Sequence, residues 1–338
     1  MKALVLHNPG QASIQSVPEP VPQPGSILLR VRMVGLCGSD LNSYRGKNPL
    51  VHYPRIPGHE IAATIVEAHS SLPPGLAVDS NVTLSPYTNC GHCAACLRAR
   101  PNACANNQTL GVQRDGALTE FITVPPEKLF AAPALTLKEL CLVEPLTVGF
   151  HASARARISA ADKVAVFGCG GVGLGAIAAS HFAGATTIAI DLADEKLAIA
   201  QKAGATHAIN SSRHSLHDQL LALTDGRGPD VIIEAIGTPE TFRAAVEEVA
   251  FTGRVVYIGY AKEPVAYETR LFVQKELDIL GSRNALPADF HTVIRVLEQK
   301  KFPVDAAVGH IVPLDQAPQL LANWSARPSS FAKIMVQL

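Results

Sequence analysis

The chain has no excess of charge of either sign, since 29 lysines and arginines balance 29 aspartates and glutamates in 338 residues. Proteins that bind nucleic acid or an anionic membrane surface usually carry a basic excess, so we expect neither partner. Charged residues make up only 17% of the chain and hydrophobic residues 47%. This composition is typical of a globular protein with a well-buried interior, and the length is sufficient for two domains.

Long hydrophobic runs are also missing. The most apolar window, residues 164–190, is interrupted by glycines and by His181, so we expect strand, turn and helix there and no membrane span. The opening MKALVLHNPG is too short an apolar run for a signal peptide. The seven cysteines are odd in number and three lie in a CxxCxxC pattern. This favours metal binding in a reducing compartment over a disulfide framework, and we therefore expect a cytoplasmic protein.

Two regions of the chain differ in pattern. The first 150 residues or so are rich in proline and contain strand-length apolar segments such as SILLRVRMVGLC and EIAATIVEA. Between about residues 160 and 282, strand-length runs alternate with helical stretches, which predicts βαβ units and a parallel sheet with helices on both faces. The six runs are DKVAVFG, TTIAIDL, HAIN, DVIIEAIG, RVVYIGY and LDILGS. Further on, PADFHTVIRVLEQKKF predicts an amphipathic helix and FAKIMVQL a strand.

A glycine motif follows the first of these six runs. Gly168, Gly170 and Gly173 form G-x-G-x-x-G between a strand and a helix, and Asp191 comes 18 residues later, at the end of the next strand. The glycines permit a tight turn, close approach of a pyrophosphate and close packing of the helix on the sheet. An acid at position 191 accepts hydrogen bonds from ribose hydroxyls and repels a 2′-phosphate, which favours NAD over NADP. The alternatives are a similar fold that binds a different nucleotide, such as S-adenosylmethionine, and a decayed site.

Four cysteines, Cys90, Cys93, Cys96 and Cys104, are separated by two, two and seven residues. Four thiolates complete a tetrahedron around zinc and leave no position for water or substrate. The spacing therefore predicts a structural zinc that clamps an irregular loop. We interpret His92, inside the cluster, as a bystander because four sulfurs already suffice.

A sparser set of potential metal ligands consists of Cys37 in VGLCGSD, His59 and Glu60 in IPGHEIA, and Glu144 in VEPLTVG. An open zinc site needs three protein ligands of mixed sulfur, nitrogen and oxygen type and one vacant position. Spacing alone leaves an alternative for each residue: a small core cysteine, a loop histidine, and acids that are exposed or salt-bridged.

Together these motifs resemble the zinc-dependent medium-chain dehydrogenases of the sorbitol and threonine dehydrogenase group. The resemblance spans essentially the whole chain and rests on GLCGSD, PGHE, the four-cysteine lobe, DGALTEF, EPLTVGFHA, the glycine motif and KAGATHAIN. It implies an α/β protein in which residues 1–150 and 284–338 form a GroES-like β-barrel catalytic domain. Residues 151–283 would form a Rossmann domain, a doubly wound parallel sheet that binds NAD.

The resemblance also implies which residues hold the metals. Cys37, His59 and Glu60 match the family's catalytic zinc motif, with Glu144 as an exchangeable ligand or as an acid just beyond the ligands. The chain would then bind two zinc ions, one catalytic and one structural, together with NAD.

By the same resemblance, Ser39 matches the hydroxyl that takes the proton from the alcohol, and Asp40 matches the acid that orients the zinc-bound histidine. One departure concerns proton transfer. Many relatives carry a histidine three residues beyond the serine, where this chain has Asn42, and an amide cannot take up a proton near neutral pH. Either the proton leaves through the cofactor ribose and water, or another group such as His52 replaces the histidine.

In the cofactor region, Val172 and Lys196 resemble positions that contact the pyrophosphate and the adenine ribose. Ile258 and Arg283 come at strand ends and are expected to face the same ligand. Family analogy also predicts a homodimer or homotetramer built through the cofactor domains.

The sequence encodes the substrate only weakly. The polar and basic segment LNSYRGKNPLVHYPR, with Arg283 and Asn284, favours a polyol or a hexonate such as galactonate or gulonate over a long aliphatic alcohol. An L-threonine 3-dehydrogenase-like activity is second. Two further alternatives are a zinc-free enone reductase, against which the intact Cys37, His59 and Glu60 argue, and a non-catalytic NAD-binding zinc protein of the same fold.

Overall fold

The computed structural model describes residues 1–328 and 333–338 of the chain. These residues form two compact units. The first comprises Met1–Pro145, Leu286–Lys300 and Val304–Leu338, and the second comprises Leu146–Ala285 and Lys301–Pro303.

The strands are β1 (Lys2–Asn8), β2 (Gln11–Ser16), β3 (Ile27–Leu36), β4 (Glu60–Ala68), β5 (Asn81–Leu84), β6 (Phe121–Val124), β7 (Leu129–Ala131), β8 (Lys163–Phe167), β9 (Thr186–Asp191), β10 (His207–Asn210), β11 (Val231–Glu234), β12 (Arg254–Tyr257), β13 (Asp278–Gly281), β14 (Val308–Pro313) and β15 (Lys333–Gln337). The α-helices are α1 (Gly38–Tyr44), α2 (Ala94–Leu97), α3 (Leu137–Arg155), α4 (Gly171–Phe182), α5 (Asp194–Lys202), α6 (Leu216–Leu223), α7 (Pro239–Glu248), α8 (Arg270–Gln274), α9 (Pro287–Glu298), α10 (Val304–Ala307) and α11 (Ala317–Ala326).

The first unit is built around β3. Its sheet has the order β14-β15-β3-β4-β5-β7, with β6 also paired to β3, and β1 and β2 form a separate antiparallel pair. Burial alternates along the first half of β3, as expected when one face of a strand packs on a core. In the antiparallel register, Gly35 lies opposite Glu60 of β4 and Leu36 lies opposite Ile334 of β15. The end of β3 therefore lies between the start of β4 and the start of β15.

The second unit contains a six-stranded parallel sheet of order β10-β9-β8-β11-β12-β13. All six runs predicted from the sequence are strands of this sheet. Strands β8 and β11 are buried along almost their whole length because helices cover both faces of a parallel sheet. The strand order reverses direction between β8 and β11, and the carboxyl ends of the strands at such a point form the usual crevice for a dinucleotide.

The predicted α/β class is confirmed. The helix predicted in PADFHTVIRVLEQKKF is α9, and the strand predicted in FAKIMVQL is β15 from Lys333 onward, while Phe331 and Ala332 lie outside the described residues. Among the described helices, none combines the length and the apolar character needed to cross a membrane.

Candidate active site and metal centres

Two loops of the first unit bring the sparser set of ligands together. Cys37 follows β3 at the N-terminus of α1, and His59 comes immediately before β4, which begins at Glu60. The buried carboxylate of Asp40 links the two loops, since it accepts hydrogen bonds from the backbone N–H of Cys37 (2.9 Å) and of Gly58 (3.2 Å). Asp40 thus fixes the spacing between the cysteine and the histidine.

Cys37, His59 and Glu60 each place one ligand atom within 4.8 Å of the other two. Nε2 of His59 lies 3.5 Å from the hydroxyl of Ser39. The other ring nitrogen, Nδ1, faces Asp40 Oδ1 at 3.8 Å, which is longer than a hydrogen bond. Sulfur, imidazole nitrogen and carboxylate oxygen form the mixed donor set of an open zinc site, so these residues fit the metal.

The charges around His59 also suit a cation. Burial by itself would lower the pKa of this histidine, but the acidic neighbours Asp40, Cys37 and Glu144 outweigh burial and raise its pKa well above the usual value. Surroundings that favour a positive charge in a buried position are those that attract a divalent metal ion.

Glu60, the first residue of β4, is enclosed by its neighbours in the sheet. It is fully buried and forms an ion pair with Lys333 of β15, which also donates a hydrogen bond to the carbonyl of Leu36 at 3.1 Å. A Cβ atom at Gly35 would overlap Oε2 of Glu60, so the absence of a side chain in β3 makes room for the carboxylate. Burial would lower the pKa of Lys333, but the negative charge of Glu60 and its neighbours raises it.

Glu144 of α3 is buried as well and accepts a hydrogen bond from the phenol of Tyr87. Burial raises the pKa of Glu144 to about 7, with the charge of His59 acting in the opposite direction and that of Glu60 in the same direction. Burial and the charge of Glu144 raise the pKa of Tyr87 well above its usual value, so the phenol remains the donor.

The four cysteines of the lobe converge as predicted. All are free thiols, with Sγ–Sγ distances of 3.5 Å between Cys93 and Cys96, 3.8 Å between Cys93 and Cys104, and 3.6 Å between Cys104 and Cys90. Thiolates about 2.3 Å from one tetrahedral zinc are roughly 3.8 Å apart, so the cluster fits the metal. The backbone N–H of His92 lowers the pKa of Cys90 to about 6, while the ring of His92 contacts the carbonyl of Cys90 at 2.8 Å.

The glycine motif of the second unit has the backbone geometry that its sequence predicts. Gly168 lies in the left-handed region with φ of +94°, Gly170 precedes the first residue of α4, and a Cβ atom at Gly173 would overlap the carbonyl oxygen of Gly168. Asp191, at the end of β9, accepts a hydrogen bond from the backbone N–H of Cys169 at 2.9 Å. The acid therefore also ties the glycine turn to the neighbouring strand.

The other predicted cofactor residues lie in the same unit. Val172 is in the first turn of α4 and Lys196 is in α5, while Ile258 and Arg283 follow β12 and β13. Each position is therefore at the carboxyl end of a parallel strand or in a helix that begins there.

The family described as alcohol dehydrogenase GroES-like domain matches residues 23–134, and the family described as zinc-binding dehydrogenase matches residues 171–299. Sorbitol dehydrogenase from Bacillus subtilis (strain 168) is 35% identical over 288 residues, which cover 83% of this chain and 81% of that protein. The chain belongs to the zinc-binding medium-chain dehydrogenases.

Two further relatives support the same membership. L-galactonate-5-dehydrogenase from Escherichia coli (strain K12) is 29% identical over 313 residues, which cover 93% of this chain and 92% of that protein. A crystal structure of an E. coli CFT073 protein described as a short chain alcohol dehydrogenase (rspB), complexed with NADH, has a TM-score of 0.90 and 28% identity and covers 100% of this chain and 99% of that one. The predicted family, enzyme class and cofactors are confirmed: this is a zinc-containing alcohol/polyol dehydrogenase with two zinc sites and a nicotinamide cofactor.

Three residues around the catalytic centre of this medium-chain dehydrogenase were missed from the sequence: Gly35, Tyr87 and Lys333. A lysine at the start of the apolar run KIMVQ is an available signal, because a charge buried in a sheet needs a partner. Gly35 and Tyr87 carry no comparable signal, since their importance depends on side chains far away in the sequence.

Proposed function

We propose that this medium-chain dehydrogenase oxidises a secondary alcohol of a polyol or a sugar acid with hydride transfer to NAD. The observation that carries the proposal is the group formed by Cys37, His59 and Glu60, within 4.8 Å of one another, with the hydroxyl of Ser39 at 3.5 Å from His59. When bound there, zinc lowers the pKa of the substrate hydroxyl, and the nicotinamide accepts the hydride.

In this proposal the chain itself handles the proton. Ser39 Oγ lies beside the nitrogen of His59 that would bind the metal, so it takes the proton of a bound hydroxyl and passes its own proton on. Asp40 holds the loop of Cys37 to that of Gly58, which keeps the ligands in register. Asn42 cannot continue the relay. The exposed His52, or the cofactor ribose with water, therefore completes the path to solvent.

The basic residues of the predicted pocket segment support an uncharged polyol ahead of a hexonate. Arg45 donates hydrogen bonds to the side chain and the carbonyl of Ser325, and Arg55 forms an ion pair with Asp115 at 2.9 Å. Both guanidinium groups already have partners in the protein, so neither is free to anchor a substrate carboxylate. The relative named sorbitol dehydrogenase supports a polyol, and the relative named L-galactonate-5-dehydrogenase supports a hexonate.

Asp191 supports NAD as the cofactor used in preference to NADP. Its carboxylate lies at the end of β9, where a ribose hydroxyl would bind and where a 2′-phosphate would be repelled. We further propose that residues 1–150 and 284–338 act as the catalytic domain and residues 151–283 as the cofactor domain, and that the enzyme is cytoplasmic.

We also propose that the enzyme assembles as a homodimer or homotetramer. Strand β13 is at an edge of its sheet, and its Ile279 is 40% exposed, so the edge offers backbone hydrogen bonds and apolar surface to a second copy. The molar mass in solution, measured by light scattering, tests this directly, and a monomer at micromolar concentration would contradict it.

The deciding experiment measures NADH formation with sorbitol, xylitol, galactonate, gulonate, L-threonine and short alcohols, with zinc counted per chain. We expect turnover on one polyol or hexonate, loss of turnover when a chelator removes one of the two zinc ions, and at least a hundredfold lower kcat in Ser39→Ala. Turnover that survives removal of that zinc, or a preference for L-threonine, would contradict the proposal. NAD binding without any turnover would favour a non-catalytic protein.

A further inference from the structure

One fully buried acid of the second unit is not among the residues predicted from the sequence. Glu234 is the last residue of β11 and is 0% exposed. In the parallel register it lies opposite Phe167, the last residue of β8, and opposite Tyr257, the last residue of β12. The strand order reverses between β8 and β11, so Glu234 lies at the edge of the sheet where the dinucleotide crevice forms.

The two carboxylate oxygens of Glu234 have unequal surroundings. Oε1 accepts hydrogen bonds from the backbone N–H groups of Ile236 (2.9 Å) and Gly237 (2.8 Å) and from the hydroxyl of Thr241 (2.8 Å). Oε2 is buried without a hydrogen-bond donor, and it lies so close to Gly259 that a Cβ atom there would overlap it. All the donors to Oε1 are neutral, so none of these hydrogen bonds supplies a positive charge.

A negative charge buried in this way needs an explanation. Glu60, the comparable buried acid of the first unit, has the ammonium group of Lys333 as its partner. In the described part of the chain no such cation is hydrogen-bonded to Glu234, and burial of a carboxylate without a cation is costly. Holding the turn does not account for the charge, because the amide oxygen of a glutamine accepts hydrogen bonds from the same donors. The charge itself therefore points to a role beyond the turn.

The proposed binding mode of NAD determines which half of the cofactor lies near Glu234. In that mode Asp191, at the end of β9, binds the adenine ribose, and the glycine motif after β8 binds the pyrophosphate. Because the sheet order continues from β9 through β8 to β11, the nicotinamide half extends over the carboxyl ends of β11 and β12. These two strand ends are joined at Glu234, whose carbonyl accepts hydrogen bonds from the N–H groups of Ile258 (2.9 Å) and Gly259 (3.1 Å).

We propose that the buried charge of Glu234 makes the site select the oxidised cofactor. It attracts the positively charged nicotinamide ring of NAD⁺, and it has no such attraction for the ring of NADH, which is neutral after it accepts the hydride. This inference rests on the proposed hydride transfer to NAD, but not on the identity of the alcohol. Glu234 thus favours binding of NAD⁺ and release of NADH, the order of events in alcohol oxidation.

The test measures the dissociation constant, Kd, of NAD⁺ by titration calorimetry and that of NADH by its fluorescence. It uses the full-length, zinc-loaded enzyme without alcohol. Glu234→Gln keeps an acceptor oxygen but removes the charge. We expect the ratio of the Kd of NAD⁺ to the Kd of NADH to increase about fivefold or more, as for unit charges up to about 10 Å apart at an effective dielectric constant of about 20.

Two other substitutions of Glu234 extend the test. Glu234→Met removes the charge and places no amide group at the position of Oε2, so it should raise the ratio in the same direction and replaces Glu234→Gln if that variant does not fold. Glu234→Asp retains the charge and should keep the ratio close to that of the wild type, even if the shorter side chain weakens the binding of both cofactor forms.

Two controls separate the charge from the shape of the turn. Thr241→Val removes one donor to Oε1 without changing the charge, so it should alter both dissociation constants by the same factor. Glu248→Gln removes a charge at the opposite end of α7, where the carboxylate contacts His217 at 2.9 Å. This variant should leave the ratio unchanged.

The inference is overturned if Glu234→Gln and Glu234→Met have the ratio of the wild type, or if Thr241→Val shifts the ratio as much as they do. Failure of the proposed function gives a different result. Wild-type enzyme that binds both cofactor forms but oxidises no alcohol contradicts the proposed function alone, and the ratio still tests Glu234. Wild-type enzyme that binds neither form contradicts both proposals.

Discussion

Replacing Lys333 by methionine tests whether the buried ion pair with Glu60 maintains the catalytic unit. The two side chains are 6% and 0% exposed, so water does not compensate for the loss of either charge. Methionine fills a similar volume, and in the zinc-free protein it leaves the carboxylate of Glu60 buried and without a cation. Removal of one partner from a buried ion pair typically costs about 3–5 kcal/mol of folding free energy.

Trp324 provides the assay. It is the single tryptophan, it lies in α11, and it is packed in the hydrophobic core of the first unit. Its fluorescence during guanidinium unfolding therefore reports on the unit that contains the pair. With an m-value of roughly 4 kcal/mol per molar guanidinium, the Lys333→Met transition should move down by about 1 M.

A control and a double variant complete this experiment. Lys2→Met breaks an exposed pair with Asp315, whose side chains are 58% and 63% exposed, and should cost less than about 1 kcal/mol. Glu60→Gln combined with Lys333→Met removes both charges and should recover part of the loss. If Lys333→Met unfolds at the wild-type guanidinium concentration, or if the double variant is as unstable as the sum of the single ones, the structural reasoning is wrong.

Three other predictions follow from the described contacts. Glu139 forms an ion pair with Lys300 at 2.7 Å, and its pKa is lowered because this ion pair and the hydrogen bonds from Thr136 outweigh the effect of burial. Glu139→Gln should therefore lower the free energy of unfolding by about 1–2 kcal/mol at pH 7. This difference from wild type should disappear at a pH below about 4.3, as the pH falls through the lowered pKa of Glu139. Urea unfolding at pH 7 and pH 3 checks this, and an equal difference at both would contradict it. Asp191→Ala should raise the KM of NAD by at least tenfold and lower the ratio of kcat/KM for NAD to kcat/KM for NADP. Steady-state kinetics in which this ratio is unchanged would refute the role of the acid. Cys104→Ser should leave one zinc ion per chain by metal analysis. It should also lower the melting temperature by roughly 10 °C, since each kcal/mol of lost stability lowers that temperature by about 2–4 °C. Two retained zinc ions per chain would exclude the four-thiolate site.

The sequence predicts the second unit well because its signals are local. Each of the six strands is an apolar run bounded by turn residues, and the glycine motif needs only its immediate neighbours to define the turn. The lobe is equally predictable, since Cys90, Cys93 and Cys96 lie within seven residues and their spacing leaves few geometries for the metal.

The catalytic centre is less predictable because its surroundings are non-local. Cys37, His59 and Glu60 are predicted as ligands from family motifs, and the structure brings them together, but nothing near Glu60 in the sequence indicates its partner Lys333. The partnership depends on two strand registers, β3 with β4 and β3 with β15, which no local pattern encodes. The bond between Tyr87 and Glu144 joins a loop to a helix and is likewise visible only in three dimensions.

The ion pair of Lys333 has a consequence for the order of events during synthesis. Lys333 donates to the carbonyl of Leu36, a residue made 297 positions earlier, and the whole second unit is translated between them. At about 5–20 residues per second, a ribosome needs roughly 15–60 seconds for that stretch. Until Lys333 is made, the carboxylate of Glu60 has no lysine partner, and β15, which pairs with β3 in the finished sheet, does not yet exist. The nascent first unit therefore waits with an open sheet edge, and it is during this interval that chaperones or early metal capture have the greatest influence on its folding.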